Sequence, residues 1–135
     1  MSIRPPFASA ILSGDKRYEF RRTIFSSKVD VVVVYATVPV RLVVAEFDVV
    51  RVLAAHPDEL WRITNRYAGI GRDDFRRYFA GKALGYAIEI GEVRRFLHPF
   101  CPVLSLGVKP PQSFTYLNRS DRFHRAVVGA DHAIR

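Results

Sequence analysis

The chain has 135 residues, 49% hydrophobic and 25% charged, which suits one domain with its own core and excludes a disordered polyampholyte. Lys and Arg total 21 against 13 Asp and Glu, a net charge of +8 that favours polyanionic partners. One cysteine, Cys101, excludes an internal disulfide, and no apolar run is long enough to cross a bilayer, so no membrane association is expected. No N-terminal stretch reads as a signal peptide, which makes a cytoplasmic location the expectation.

Ser2 to Arg4 suits a short extended segment, and Pro5-Pro6 opens a helix because proline fits the first helical turn. Phe7, Ala10 and Ile11 recur at helical spacing, and Gly14 is a natural stop. Tyr18 to Arg22 alternates, with Tyr18 and Phe20 on one face and Glu19 and Arg21 on the other. Val29 to Thr37 is apolar at consecutive positions, as in a strand covered on both sides. Arg41 to Leu53 is a longer β-branched stretch with Val43, Ala45, Phe47 and Val49 on one face. Its other face runs from Leu42 and Val44 to Glu46 and Asp48, and Glu46 reads as a paired barrel carboxylate.

Helices are expected over Pro57–Tyr67 and Arg72–Ala80, with Trp61, Phe75, Tyr78 and Phe79 mostly in the core. Gly85–Ile90 and Val93–Phe96 read as strands, and the four prolines between Pro99 and Pro111 read as loop. Gln112 to Leu117 suits a short strand or turn. Asn118 to Arg135 is polar and Arg-rich, the pattern of a weakly ordered basic tail after a domain spanning 1–117. The sum is five or six strands and about three helices without a βαβ rhythm, an α+β fold built as a small curled sheet or partly open barrel.

Seventeen of the cations are Arg and four are Lys; Arg suits phosphate and base edges, and a GC-rich coding sequence enriches Arg as well. Six cations and two acids fall between Met1 and Lys28, so half of the net charge lies in the first fifth of the chain. His56, His98, His124 and His132 are too dispersed for a metal-ligand set, and there is no Gly-rich phosphate loop and no GxSxG elbow, so neither metal nor cofactor is expected. The pointed feature is Gly14-Asp15-Lys16-Arg17-Tyr18-Glu19-Phe20-Arg21. If Tyr18 and Phe20 enter the core, Lys16, Glu19 and Arg21 converge on an open face, where they can hold phosphate and accept from a base amino group. The plainer alternative is a solvated strand face. In either case each pair would add only about 0–1 kcal/mol to the fold.

The opening Ser-Ile-Arg-Pro-Pro-Phe-Ala and the segment from Gly14 to Arg21 resemble the start of ASCH domains. The signature of that family, Gly-x-Lys-x-x-Glu-x-Arg, is met at Gly14, Lys16, Glu19 and Arg21. Tyr35-Ala36-Thr37, Val44-Ala45-Glu46-Phe47 and the run from Pro110 to Leu117 are also similar, so the resemblance extends from Ser2 to Leu117. It implies a PUA-like β-barrel with a cleft lined by the signature residues, and a role in binding RNA in translation, RNA processing or transcription control. The candidate binding set is Arg4, Lys16, Glu19, Arg21, Gln112, Ser113 and Tyr116, with RNA the first ligand and DNA, a nucleotide or a modified base the others. The alternative is a small hydrolase of RNA or of a modified nucleoside, using Lys16 and Ser113. In the branch that resembles acetylcytidine deacylases a Thr follows the Lys by three residues. Here Glu19 stands there, which argues against that activity.

Overall fold

A computed structural model describes residues 1–117, so the expected tail over 118–135 lies outside the described residues. Five strands form one mixed sheet: β1 (Ser2–Ile3), β2 (Tyr18–Arg21), β3 (Val31–Ala36), β4 (Leu42–Ala55) and β5 (Gly85–Phe100). Their spatial order is β1-β3-β4-β5-β2, with β1 parallel to β3 and every other pair antiparallel. The sheet is not closed, because no ladder joins its edge strands β1 and β2. The architecture is therefore the expected α+β, PUA-like one in its open form, with α1 (Pro5–Ser13), α2 (Pro57–Thr64), α3 (Arg72–Tyr78) and α4 (Pro102–Leu106) around it.

Local chemistry explains the elements near the site. Pro5 and Pro6 occupy the first turn of α1, and Gly14 ends it at φ 86°, a left-handed value that glycine adopts freely. Ala8 and Ile11 face inward and cover Val32, Val34, Ala36, Ala45, Phe47, Ile88 and Ile90, the larger core. A second core lies between the sheet and the α2–α3 pair, where Phe20, Leu60, Ala68, Phe75, Phe79 and Ala87 are buried together. Phe75 is its hub, with ring centroids 4.9 Å from Phe20, 4.9 Å from Phe79 and 5.0 Å from Trp61. Tyr78 is at the rim, its hydroxyl bridging Phe20 O and Arg22 N.

Three local expectations change. The β3–β4 and β4–β5 ladders both slip around Val44, so Val43 joins Phe96 in a small third cluster while Ala45 and Phe47 enter the larger core. A bulge inserts one residue and breaks strict alternation, which is why one face cannot be read through this stretch. The two expected C-terminal strands are a single β5 of 16 residues. Pro99 is accommodated because it lies in the slipped stretch between Arg95 and Phe100, where the ladder asks for no N–H. The proline-rich segment holds the short helix α4, begun by Pro102 and ended by Gly107 at φ 66°, and residues 112–117 contain no strand. Glu46 is paired as expected, its Oε2 accepting from Arg94 Nη2 at 3.0 Å.

Replacing Phe75 by Ala removes the hub ring and leaves a cavity facing Phe20 and Trp61. The expected loss is about 3–5 kcal/mol of unfolding free energy, read by urea denaturation. A loss below 1 kcal/mol would show that the α2–α3 pair is not packed through this residue.

Candidate nucleic-acid interface

The three signature charges do converge, and they do so under cover. Lys16, Glu19 and Arg21 are only 3%, 6% and 9% exposed, which corrects the expectation of an open charged face. The alternation of β2 holds, since Phe20 enters the second core. Its opposite face is simply covered as well: Phe7 of α1 lies beside Lys16, and Ser2 of β1 and Ser113 of the 111–113 segment lie against Arg21. The small exposed-pair contribution therefore does not apply to this cluster.

Arg21 is the most connected member. Its Nη2 lies 3.0 Å from Glu19 Oε2 and donates to Ser2 O at 2.9 Å, and its Nη1 donates to Ser113 Oγ at 3.2 Å. The Nε is buried without a hydrogen-bond partner among the described residues. Ser2 in turn donates its N–H to Ser113 O at 2.7 Å and its hydroxyl to Pro111 O at 2.6 Å. One guanidinium thus ties β2, β1 and the 111–113 segment together, across the gap where the sheet is open.

Lys16 sits one layer in. Its Nζ donates to Ala68 O at 2.6 Å and stands 3.9 Å from Glu19 Oε1. The Phe7 and Phe20 rings lie beside it, with centroids 5.1 and 4.8 Å from Nζ. Gly69, at φ 64°, lets the chain pass directly over the Lys16 stem, where a β-carbon would collide with the stem's carbons. Burial pushes the Lys16 amine down to about 8; Glu19 opposes that shift and Arg21 adds to it. A lysine so held is a proton acceptor of near-neutral strength.

The remaining candidates divide. Ser113 belongs to the cluster, half-buried, with its hydroxyl oriented by Arg21. Gln112 is exposed beside it. Arg4 is exposed at the start of α1, its guanidinium 5.8 Å from the Phe7 centroid, and is linked to Lys16 only through that ring. Tyr116 turns elsewhere, its hydroxyl accepting from Ser26 N at 2.9 Å and Ser27 N at 3.3 Å, so it pins the 26–27 loop. Sequence reading missed Ser2 and Ala68, because Lys16 and Arg21 reach them through backbone carbonyls, which every residue carries; the Ser2 hydroxyl adds only the bond to Pro111 O. Gly69 was the available signal, as a glycine between two helices often marks a close approach.

An open five-stranded PUA-like sheet, with a buried Lys–Glu–Arg cluster bridging its two edges, defines the class of protein. The family model described as "ASCH domain" matches residues 1–104, and the chain belongs to that family. Among curated proteins it is 30% identical over 129 residues to an "ASCH domain-containing ribonuclease" of Zymomonas mobilis, covering 90% of this chain and 84% of that one. It is also 28% identical over 118 residues to "Large ribosomal subunit protein uL22" of Ureaplasma parvum, spanning 38% of that protein's length. The crystal structure of ASCH from Zymomonas mobilis superposes with a TM-score of 0.85 at 28% identity, covering 95% of this chain and 92% of that one. A serine-to-alanine variant of the same protein gives a TM-score of 0.86 at 27% identity and the same coverage.

Two outcomes test the cluster. Of the four lysines, one should titrate near pH 8 in an NMR experiment on 13C-methylated side chains, and Lys16→Met should remove that signal. Glu19→Gln removes the charge that holds the proton on, so the midpoint should fall below 8. Because the folded value lies below the ordinary 10.5, the unfolded chain keeps a proton that the folded one releases between about pH 8 and 10.5. This group therefore adds stability as pH rises through that window. A single set of lysine midpoints near 10.5 would refute the burial of Lys16. In a second test, Arg21→Met should cost about 3–5 kcal/mol, since Glu19 is left buried beside no guanidinium. Lys16→Met, which keeps the stem and removes a desolvated charge, should cost far less in the same chemical denaturation series.

Proposed function

We propose that the chain binds RNA at the rim of this cluster. Ser113, Gln112 and Arg4 face the ligand, and Lys16, Glu19 and Arg21 form the buried charged support behind them. The observation that carries the reading is the Arg21–Ser113 bond at 3.2 Å, which links the family's signature to a half-buried hydroxyl in the C-terminal segment. The net charge of +8 supports a polyanionic ligand, and the relative of Zymomonas mobilis named as a ribonuclease supports RNA over other polyanions. Such binding would serve a regulator of transcription, translation or RNA processing.

A second reading is RNA cleavage, favoured by a lysine held near pH 8 in the same cluster as an oriented serine hydroxyl. In it Lys16 takes the proton of the RNA 2′-hydroxyl, whose oxygen bonds to the adjacent phosphorus as the bond to the 5′-oxygen of the next nucleotide breaks; that oxygen leaves protonated as an alcohol, while Ser113 positions the phosphodiester. The deacylase reading gains nothing, because Glu19 is committed to Arg21 and holds no hydroxyl.

The test is anisotropy of a labelled single-stranded RNA over a salt series, with products resolved on a gel and reactions run with and without EDTA. Log affinity should fall with log salt by about 0.7 per phosphate contact. Arg4→Gln should weaken binding at unchanged melting temperature, and Ser113→Ala should weaken binding while costing about 1–3 kcal/mol of stability, because Arg21 Nη1 loses its acceptor. No binding at low salt, or a flat salt dependence, would overturn the proposal. Products that persist in EDTA and vanish in Lys16→Met would select the second reading.

A further inference from the structure

Away from the signature cluster, α2 and α3 enclose a groove of about 470 Å³, inside the size range of small-ligand sites. Arg72, Arg76 and Lys82 line it, with Trp61 on the wall and His56 and Asp58 at one end. Arg72 and Arg76 are four residues apart on α3 and so lie on one face of that helix. None of the three cations forms an ion pair among the described residues, although Arg77, the next residue of α3, is paired to Asp74. The one carboxylate lining the groove, Asp58, is 3.7 Å from His56 Nδ1. That nitrogen accepts from the Asp58 backbone N–H at 3.1 Å, and Arg72, Arg76 and Lys82 against Asp58 leave the lining two positive charges in excess without counting His56.

We propose that this groove is a second nucleic-acid contact, taking a backbone phosphate of single-stranded RNA between Arg72 and Arg76 and a base against Trp61. The proposal rests on the RNA-binding reading above and extends it to residues outside the signature. Two guanidiniums one helical turn apart supply forked donors to phosphate oxygens. Trp61 is half-buried and braced by Phe75 at 5.0 Å, so one face can receive a base without the ring having to be ordered first. Lys82, half-buried and also lining the groove, adds a third cation. The groove also shares a wall with the signature cluster: Phe75 packs on Phe20, and Phe20 lies 4.8 Å from Lys16 Nζ.

Trp61 is the only tryptophan in the chain, so its emission reports directly on this groove. The full chain is titrated with an unlabelled single-stranded RNA while tryptophan fluorescence is read, and separately with labelled RNA by anisotropy. The expected result is saturable quenching with the midpoint seen by anisotropy. In Arg72→Gln/Arg76→Gln, quenching should be lost and the salt slope should fall by about 0.7, the share of the one phosphate held between them. RNA that binds by anisotropy without quenching, and with an unchanged slope in the double variant, overturns the groove and leaves the signature site standing. Equal quenching by polyglutamate overturns base stacking here. No RNA binding by either readout overturns both proposals.

Discussion

The structure depends on how one guanidinium closes an open sheet. β1 and β2 are the two edges, and no backbone ladder joins them. Arg21 reaches from β2 to the Ser2 carbonyl on β1 and to the Ser113 hydroxyl, while Glu19 beside it balances its charge. Edge strands carry unpaired backbone groups that invite other chains, and proteins cover or charge them. Here a charged side chain from one edge satisfies a backbone acceptor at the other. The fork geometry matters: only Arg offers two separate nitrogens that can serve the carbonyl, the carboxylate and the hydroxyl together.

Burying that arrangement has a second consequence. Glu19 already has Arg21 at 3.0 Å, so Lys16 receives only a weaker share of its charge at 3.9 Å, and its own firm acceptor is a neutral carbonyl, Ala68 O. Desolvation then outweighs attraction, and the amine falls to about 8. The same packing that closes the sheet therefore creates a group able to exchange a proton near physiological pH. Structural closure and the lowered basicity of Lys16 are therefore two effects of one cluster.

The cationic character of the N-terminal segment is divided by the fold. Lys16 and Arg21 are withdrawn into the interior, whereas Arg4, Arg17, Arg22 and Lys28 remain exposed. Arg17 stacks on Tyr67 with its guanidinium 4.3 Å from the ring centroid, which leaves fewer cations at the cluster than the linear charge count implies. The groove between α2 and α3 offsets this with Arg72, Arg76 and Lys82 around an aromatic wall. Positive charge is thus spread over two places separated by the Phe20–Phe75 layer.

Much of the fold was legible because its signals are local. Pro5-Pro6 and Gly14 bound α1, the Tyr18–Arg21 alternation marks β2, and Asp58 and Glu59 after Pro57 begin α2, each set by the residue's own backbone and side-chain preferences. The signature positions Gly14, Lys16, Glu19 and Arg21 were legible in the same way, as a spacing. The slip around Val44 was not, because a bulge is fixed by the partner strands on both sides. Nor was the burial of Glu19 and Arg21: alternation says which residues share a face and says nothing of what covers it. The cover comes from Ser2, 19 residues before Arg21, and Ser113, 92 residues after it. The sequence by itself determined most of the elements, though not α4 or the single β5, and the charged residues that meet. Tertiary structure decided that they meet in the dark, because burial is a property of distant chain segments packing together, and a backbone carbonyl such as Ala68 O leaves no mark on the residue that carries it.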